Sequence, residues 1–241
     1  MFKKCEFFLA SSVENTNNEI KKIFKKKQDL DFMSLHADKQ ISGRGRKQNK
    51  WISKEGDFTC SYLINKSFDM SMLGQLNIVF SISIFECLKK YYSEINFTLK
   101  WPNDIFISDK KIGGVLIETN IKNGLIMYLI VGVGINFVSS PKIVKYRTTK
   151  ISDFSKKLNT KKIFYCISEN IKKNLVFWNN KGFSFFKKKW LLNCKDINRE
   201  ISIKVGKKYF SGTLRDLDDS ASLILKTKNN NTIKVSYGEI I

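Results

Sequence analysis

Phe97-Thr98-Leu99-Lys100-Trp101-Pro102-Asn103-Asp104-Ile105-Phe106-Ile107-Ser108-Asp109-Lys110-Lys111-Ile112-Gly113-Gly114-Val115-Leu116-Ile117-Glu118 is a stretch in which strands follow one another with only turns between them. Residues 97–100, 105–108 and 115–118 have strand character, and a fourth such run covers 125–133. Asn-Asp, Asp-Lys-Lys and Lys-Asn-Gly separate them, and that is turn chemistry. A parallel pair needs a crossover of a dozen or more residues, which does not fit in these gaps. The four strands therefore pair antiparallel, and the chain reads as α+β with a mixed, mostly antiparallel sheet and flanking helices.

Upstream, residues 72–92 place Leu76, Val79, Phe80, Ile84, Cys87 and Leu88 at helical spacing, a long amphipathic helix. Residues 58–64 alternate as a strand, and 32–37 form another, entering a polar stretch over 38–50. Thr16-Asn17-Asn18-Glu19 has the form of a capping box, with Ile20, Ile23 and Phe24 following on one face. Downstream, 160–178 reads as a second helix. From Ile201 the texture changes to short strands over 201–205, 209–214, 223–225 and 233–235, split by Gly-Lys, Asp-Asp and Asn-Asn pairs. That spacing predicts a small β-barrel, so the chain divides into a larger domain over 1–195 and a smaller one over 196–241.

The 241 residues are 42% hydrophobic, enough for one full core and a small appendage, and too apolar for global disorder. No apolar run reaches the ~18 residues of a membrane span, and no signal-like segment opens the chain, so a soluble cytoplasmic protein is expected. Five cysteines without a C-x-x-C pair and a single histidine, His36, argue against a protein-made metal site. The net charge is +21, yet only five of the 43 basic residues are arginine. Lysine scattered in short runs reads as solvated faces with weak attraction to polyanions, not as a nucleic-acid-binding element.

Three stretches carry chemistry. Gln40-Ile41-Ser42-Gly43-Arg44-Gly45-Arg46 holds two of the five arginines between glycines, a mobile loop whose forked donors suit phosphate or carboxylate. Lys100-Trp101-Pro102-Asn103-Asp104 positions a cation at a strand end, and Gly113-Gly114 lets a ligand lie against the backbone. Val131-Gly132-Val133-Gly134-Ile135-Asn136 puts glycines inside a strand where something must approach closely. None of these is a dinucleotide fingerprint.

Taken in order, Gly-Arg-Gly-Arg followed by Trp51, Lys-Trp-Pro-Asn-Asp, the run from Lys111 to Glu118, Gly132 to Asn136, and a terminal Gly238-Glu239-Ile240 give a sequence that resembles the biotin protein ligases over essentially its whole length. The resemblance implies a class II synthetase-like catalytic domain with an SH3-like C-terminal barrel. It also implies a two-step reaction: biotin and ATP, with Mg²⁺ carried on the phosphates, give biotinyl-5′-AMP, and biotin then passes to a lysine of a biotin carboxyl carrier protein. It assigns Asn15, Thr16, Asn17, Gln40, Gly43, Arg44, Gly45, Arg46, Lys100, Gly113 and Gly114 to biotin. It assigns Arg44, Arg46, Trp51, Lys100, Asn103 and Asn136 to ATP and the adenylate, with Lys100 and Arg46 as the catalytic cations. No DNA-specific or membrane partner is implied, since the ligase motifs begin within ~15 residues of Met1 and leave no room for a winged helix. Relatives occur as monomers and homodimers. Lipoate ligation, or a decayed basic nucleic-acid-binding protein, are the competing readings. Three positions depart from the family pattern: Asn15 where Ser or Thr is usual, Gln48 where Gly is common, and an end at Ile241 that puts the barrel's part in ATP binding in doubt.

Overall fold

The turns between residues 97 and 125 do produce an antiparallel meander, and it forms one side of a larger sheet. The computed structural model describes residues 2–142, 146–157 and 159–241. In chain order the elements are β1 (Cys5–Val13), α1 (Thr16–Lys26), β2 (Phe32–Gln40), β3 (Gly43–Arg44), β4 (Lys50–Trp51), β5 (Phe58–Ile64), β6 (Phe68–Asp69), α2 (Leu73–Tyr91), β7 (Phe97–Lys100), β8 (Asp104–Ile107), β9 (Lys110–Lys122), β10 (Leu125–Ile135), α3 (Thr160–Lys181), α4 (Ser184–Leu192), β11 (Glu200–Val205), β12 (Lys208–Leu217), β13 (Leu223–Lys226), β14 (Thr232–Val235) and β15 (Glu239–Ile240).

The main sheet runs β1-β2-β5-β10-β9-β8-β7, with β6 pairing on β10. Only β1 and β2 are parallel, joined by α1 as the crossover; the other neighbours are antiparallel. Helices cover both faces. Ile20 and Phe24 of α1 pack on Met33, Leu35, Leu63 and Ile130, while α2, α3 and α4 cover the opposite face. Burial from both sides explains why every residue of β5 is buried. β1 is an edge strand, exposed at alternate positions and flanked by charged residues, which hides it in the sequence.

Two expectations need correction. The first helix is capped by Asn15, whose Oδ1 accepts from Asn18 N at 3.2 Å, so Thr16 is the first helical residue and not the cap. The expectation that no segment is apolar enough to span a membrane also fails, since Met70–Tyr91 passes on length and composition. That helix lies inside the fold, with 61% of its apolar window buried, because it is enclosed by the sheet, α3 and α4.

The second sheet orders its strands β14-β13-β12-β11-β15, all antiparallel, and fits a small SH3-like barrel. Ile203, Leu214 and Leu217 belong to the same apolar cluster as the main sheet. Polar ties reinforce the junction: Trp101 Nε1 donates to Ala221 O at 3.2 Å, and Lys187 Nζ pairs with Asp216 Oδ2 at 2.9 Å.

Candidate functional site

A cavity of about 640 Å³ opens where α1 begins, where β9 and β10 run together, and where the end of the second sheet meets them. Gly132 and Gly134 of β10 line it, and the groups that approach them belong to this chain. A Cβ on Gly132 would lie 2.6 Å from Asn17 Oδ1, and one on Gly134 would overlap the Trp51 indole. The strand glycines thus seat an amide and an indole against the sheet.

One end of the cavity is neutral and hydrogen-bonding. Gln40 Oε1 accepts from Thr16 N at 2.9 Å and from Thr16 Oγ1 at 3.0 Å. Asn17 is 4% exposed, and its Oδ1 accepts from Ser61 Oγ. The acceptor oxygens of both side chains are therefore engaged within the protein, so the carboxamides are fixed in orientation and their NH₂ groups remain as donors. Asn15 Nδ2 donates to Ser42 O at 3.0 Å, tying the start of α1 to the loop that follows β2.

The other end is cationic. Arg46, Lys100, Lys111 and Lys204 gather there, Arg44, Lys47 and Lys50 also line the cavity, and the side-chain carboxylates among the described lining residues are Asp104 and Glu239. Arg46 donates to Asn103 Oδ1 at 3.5 Å and to Gly238 O at 3.4 Å. Burial pulls its pKa below the usual arginine value, opposed by Asp104 and Glu239, and a guanidinium stays charged through any such shift. Lys100 Nζ donates to Ile240 O at 3.1 Å; burial lowers its pKa too, with Asp196 the largest opposing charge. Lys111 pairs with Asp104 Oδ1 at 2.6 Å and lies 5.0 Å from the centre of the Tyr146 ring. Such a cluster suits a polyanion.

Most of the expected residues come together here. Asn15, Thr16, Asn17, Gln40, Arg44, Gly45, Arg46, Trp51, Lys100, Asn103 and Gly114 all line the cavity. Gly43, Gly113 and Asn136 are not on its wall. A Cβ on Gly43 would meet the Trp51 backbone and lie 2.7 Å from Gln40 Nε2. One on Gly113 would lie 2.8 Å from Gly134 O. Asn136 is 2% exposed and donates Nδ2 to Thr149 O at 3.1 Å, while its Oδ1 has no partner among the described residues. The two loop arginines do not face one point. Arg46 turns inward, whereas Arg44 donates to Asn18 Oδ1 at 2.7 Å and Glu118 Oε1 at 3.2 Å, tying the loop to α1 and β9. The side chain of Gln48 lies outside the described residues.

Sequence reasoning missed Lys111, Asp104, Lys204 and Glu239. Lys111 had a local signal, a cation three residues before Gly114, whose added Cβ would lie 3.5 Å from Lys111 Nζ. Lys204 and Glu239 face each other in the β11–β15 register and reach the cavity only because the second sheet docks there. The doubt over the barrel's part is thereby narrowed: Lys204, Gly206 and residues 238–241 line the cavity.

A family model described as the biotin/lipoate A/B protein ligase family matches residues 9–136. Among curated proteins, the bifunctional ligase/repressor BirA of Escherichia coli is 25% identical over 195 residues, covering 79% of this chain and 60% of that protein. The chain thus spans about three fifths of the length of that relative. The biotin–[acetyl-CoA-carboxylase] ligase of Paracoccus denitrificans is 21% identical over 197 residues, covering 79% of this chain and 82% of that one. Among solved structures, the biotin protein ligase of Aquifex aeolicus in complex with biotin and ATP superposes with a TM-score of 0.82 at 29% identity, covering 100% of this chain and 98% of that one.

Proposed function

The chain belongs to the biotin/lipoate A/B protein ligase family, and from that premise we propose that it is an ATP-dependent biotin protein ligase acting on a lysine of a biotin carboxyl carrier domain. The observation that carries this reading is the division of one cavity into a neutral carboxamide end and a cationic end. A ureido-ring acid with a terminal carboxylate needs donors at one end and positive charge at the other. Asn15, Thr16, Asn17 and Gln40 receive the ring, with Gly113 and Gly114 in the floor strand. The loop of Gly43, Arg44, Gly45 and Arg46 covers it. Trp51 and Asn103 serve the nucleotide, while Asn136, off the cavity wall, ties the end of β10 to Thr149 instead of touching the ligand.

In the first step the biotin carboxylate oxygen attacks the α-phosphorus of MgATP, the bond to the bridging oxygen breaks, and pyrophosphate leaves. Arg46 and Lys100 are the proposed catalytic cations, and Lys111 joins them on the same wall. They offset charge that would otherwise hold two anions apart. In the second step the neutral ε-amine of the acceptor lysine attacks the acyl carbon, AMP departs and the amine proton is released. Neither step needs a covalent enzyme intermediate. The loop's second duty is to keep water from the mixed anhydride until the acceptor arrives.

Mg²⁺ belongs to the substrate here. Such a hard cation is held chiefly by phosphate oxygens and water, with one or two carboxylates at most.

The test is exchange of labelled pyrophosphate into ATP, with biotin and with lipoate. Exchange with biotin alone is expected. Exchange with lipoate alone overturns the substrate, and none with either overturns the activity.

A further inference from the structure

Lys100 ends β7, and the segment beside it comes from far along the chain. Leu99 N donates to Asn193 O at 2.8 Å and Lys195 N donates to Leu99 O at 3.0 Å. These bonds form a parallel bridge between Leu99 and Cys194, which sets Lys195 beside Lys100 and Asp196 next along the chain. Both ammonium groups lie over the Phe106 ring, Lys195 at 4.7 Å and Lys100 at 5.8 Å from its centre. Two like charges gathered at one buried ring repel unless each is answered.

The two answers differ. Lys195 pairs with the exposed Asp109 at 2.9 Å. Lys100 makes no ion pair among the described residues, and its hydrogen bond goes to the neutral carbonyl of Ile240. The carboxylate enclosed beside this bridge is Asp196, 7% exposed, whose Oδ2 has no hydrogen-bond partner among the described residues. A carboxylate so enclosed is costly unless a nearby cation answers it.

We propose that Asp196 is a positioning residue for Lys100: the Ile240 carbonyl holds the ammonium by a hydrogen bond, and the buried carboxylate, without a direct ion pair, keeps it charged and directed toward the anion in the cavity. The proposal rests on the ligase reading, which gives Lys100 an anion to meet. The charged groups facing Lys100 are Asp196, Lys195, Asp104 and Glu239, and those facing Asp196 are Lys100, Lys195, Arg199 and Asp109. Burial pulls the Lys100 pKa down and pushes the Asp196 pKa up, and each is the largest charge opposing the other's shift. Asp196 touches no cavity wall and lies outside every stretch singled out from the sequence, so it acts only through Lys100.

The experiment compares wild type with Asp196→Asn, a near-isosteric change, in two readouts. The first is the pH profile of biotin-dependent pyrophosphate exchange. The second is the NMR titration of the Lys100 side chain, assigned with Lys100→Arg. The expected result is an alkaline limb that moves to lower pH together with the Lys100 midpoint, each by about one unit, with kcat falling by up to about tenfold above that limb and the biotin KM unchanged. A uniform loss of activity at every pH, with the Lys100 midpoint unmoved, would overturn the proposal in favour of a purely structural role. Unchanged activity would overturn it as well. Absence of exchange in the wild type indicts the ligase reading instead, and the NMR midpoint still decides whether Asp196 governs Lys100.

Discussion

The two ends of the cavity are built by different means. At the neutral end the fixing contacts are made within the first part of the chain: Asn15 to Asn18, Thr16 to Gln40, Asn17 to Ser61. At the cationic end Arg46 reaches Gly238 and Lys100 reaches Ile240, spans of 192 and 140 residues. A hydrogen-bonding pocket can be made by a helix start, the strands under it and one crossing loop. A polyanion site needs several cations brought together against their mutual repulsion, and this fold does that by docking a second sheet whose backbone carbonyls share the load. The neutral end should therefore be rigid and locally determined, and the cationic end should depend on how the second sheet is seated.

Perturbations that touch one end only can break or sharpen that contrast. The largest effect is expected from Arg46→Ala, which removes a partly buried cation from the wall and should lower kcat/KM for pyrophosphate exchange by about 10²–10³. Ser61→Ala frees Asn17 Oδ1 at the neutral end. Loss of one hydrogen bond predicts a biotin KM raised about three- to tenfold with the ATP KM unmoved, readable from the same assay. Trp101→Phe deletes the tie to Ala221 O and should do the converse, raising the ATP KM about threefold through the seating of the second sheet. The smallest effect belongs to Glu118→Gln, which weakens the half-exposed pair holding Arg44. An exposed pair contributes under about 1 kcal/mol. The loop should then release biotinyl-adenylate about twofold faster, measured by filter-trapping the labelled intermediate.

The sequence disclosed these two ends unequally. The resemblance alone assigns the helix-start residues and Gln40 to the site, whereas Arg44, Arg46 and Lys100 stand out by residue type, and all of them line one cavity. The antiparallel middle was legible because Asn-Asp and Asp-Lys-Lys leave no room for a crossover. β1 was not legible, since an edge strand needs apolar residues on one face only and Lys3, Lys4 and Glu6 obscure its start. β15 and α4 escaped for lack of length or periodicity. Lys204 and Asp196 share a deeper reason: nothing near them in sequence signals a site, and their roles arise only from docking. The glycines of β10 were legible as points of close approach, but not as seats for Asn17 and Trp51.

The most direct test of this account is calorimetric titration of biotin and of ATP, each alone, into Gln40→Ala and Lys111→Ala. The account predicts a crossed pattern: Gln40→Ala weakens biotin about tenfold and leaves ATP within twofold, and Lys111→Ala weakens ATP about tenfold or more and leaves biotin within about threefold. If both variants weakened both ligands equally, the cavity would be one coupled site, and the division into two separately built ends would be wrong.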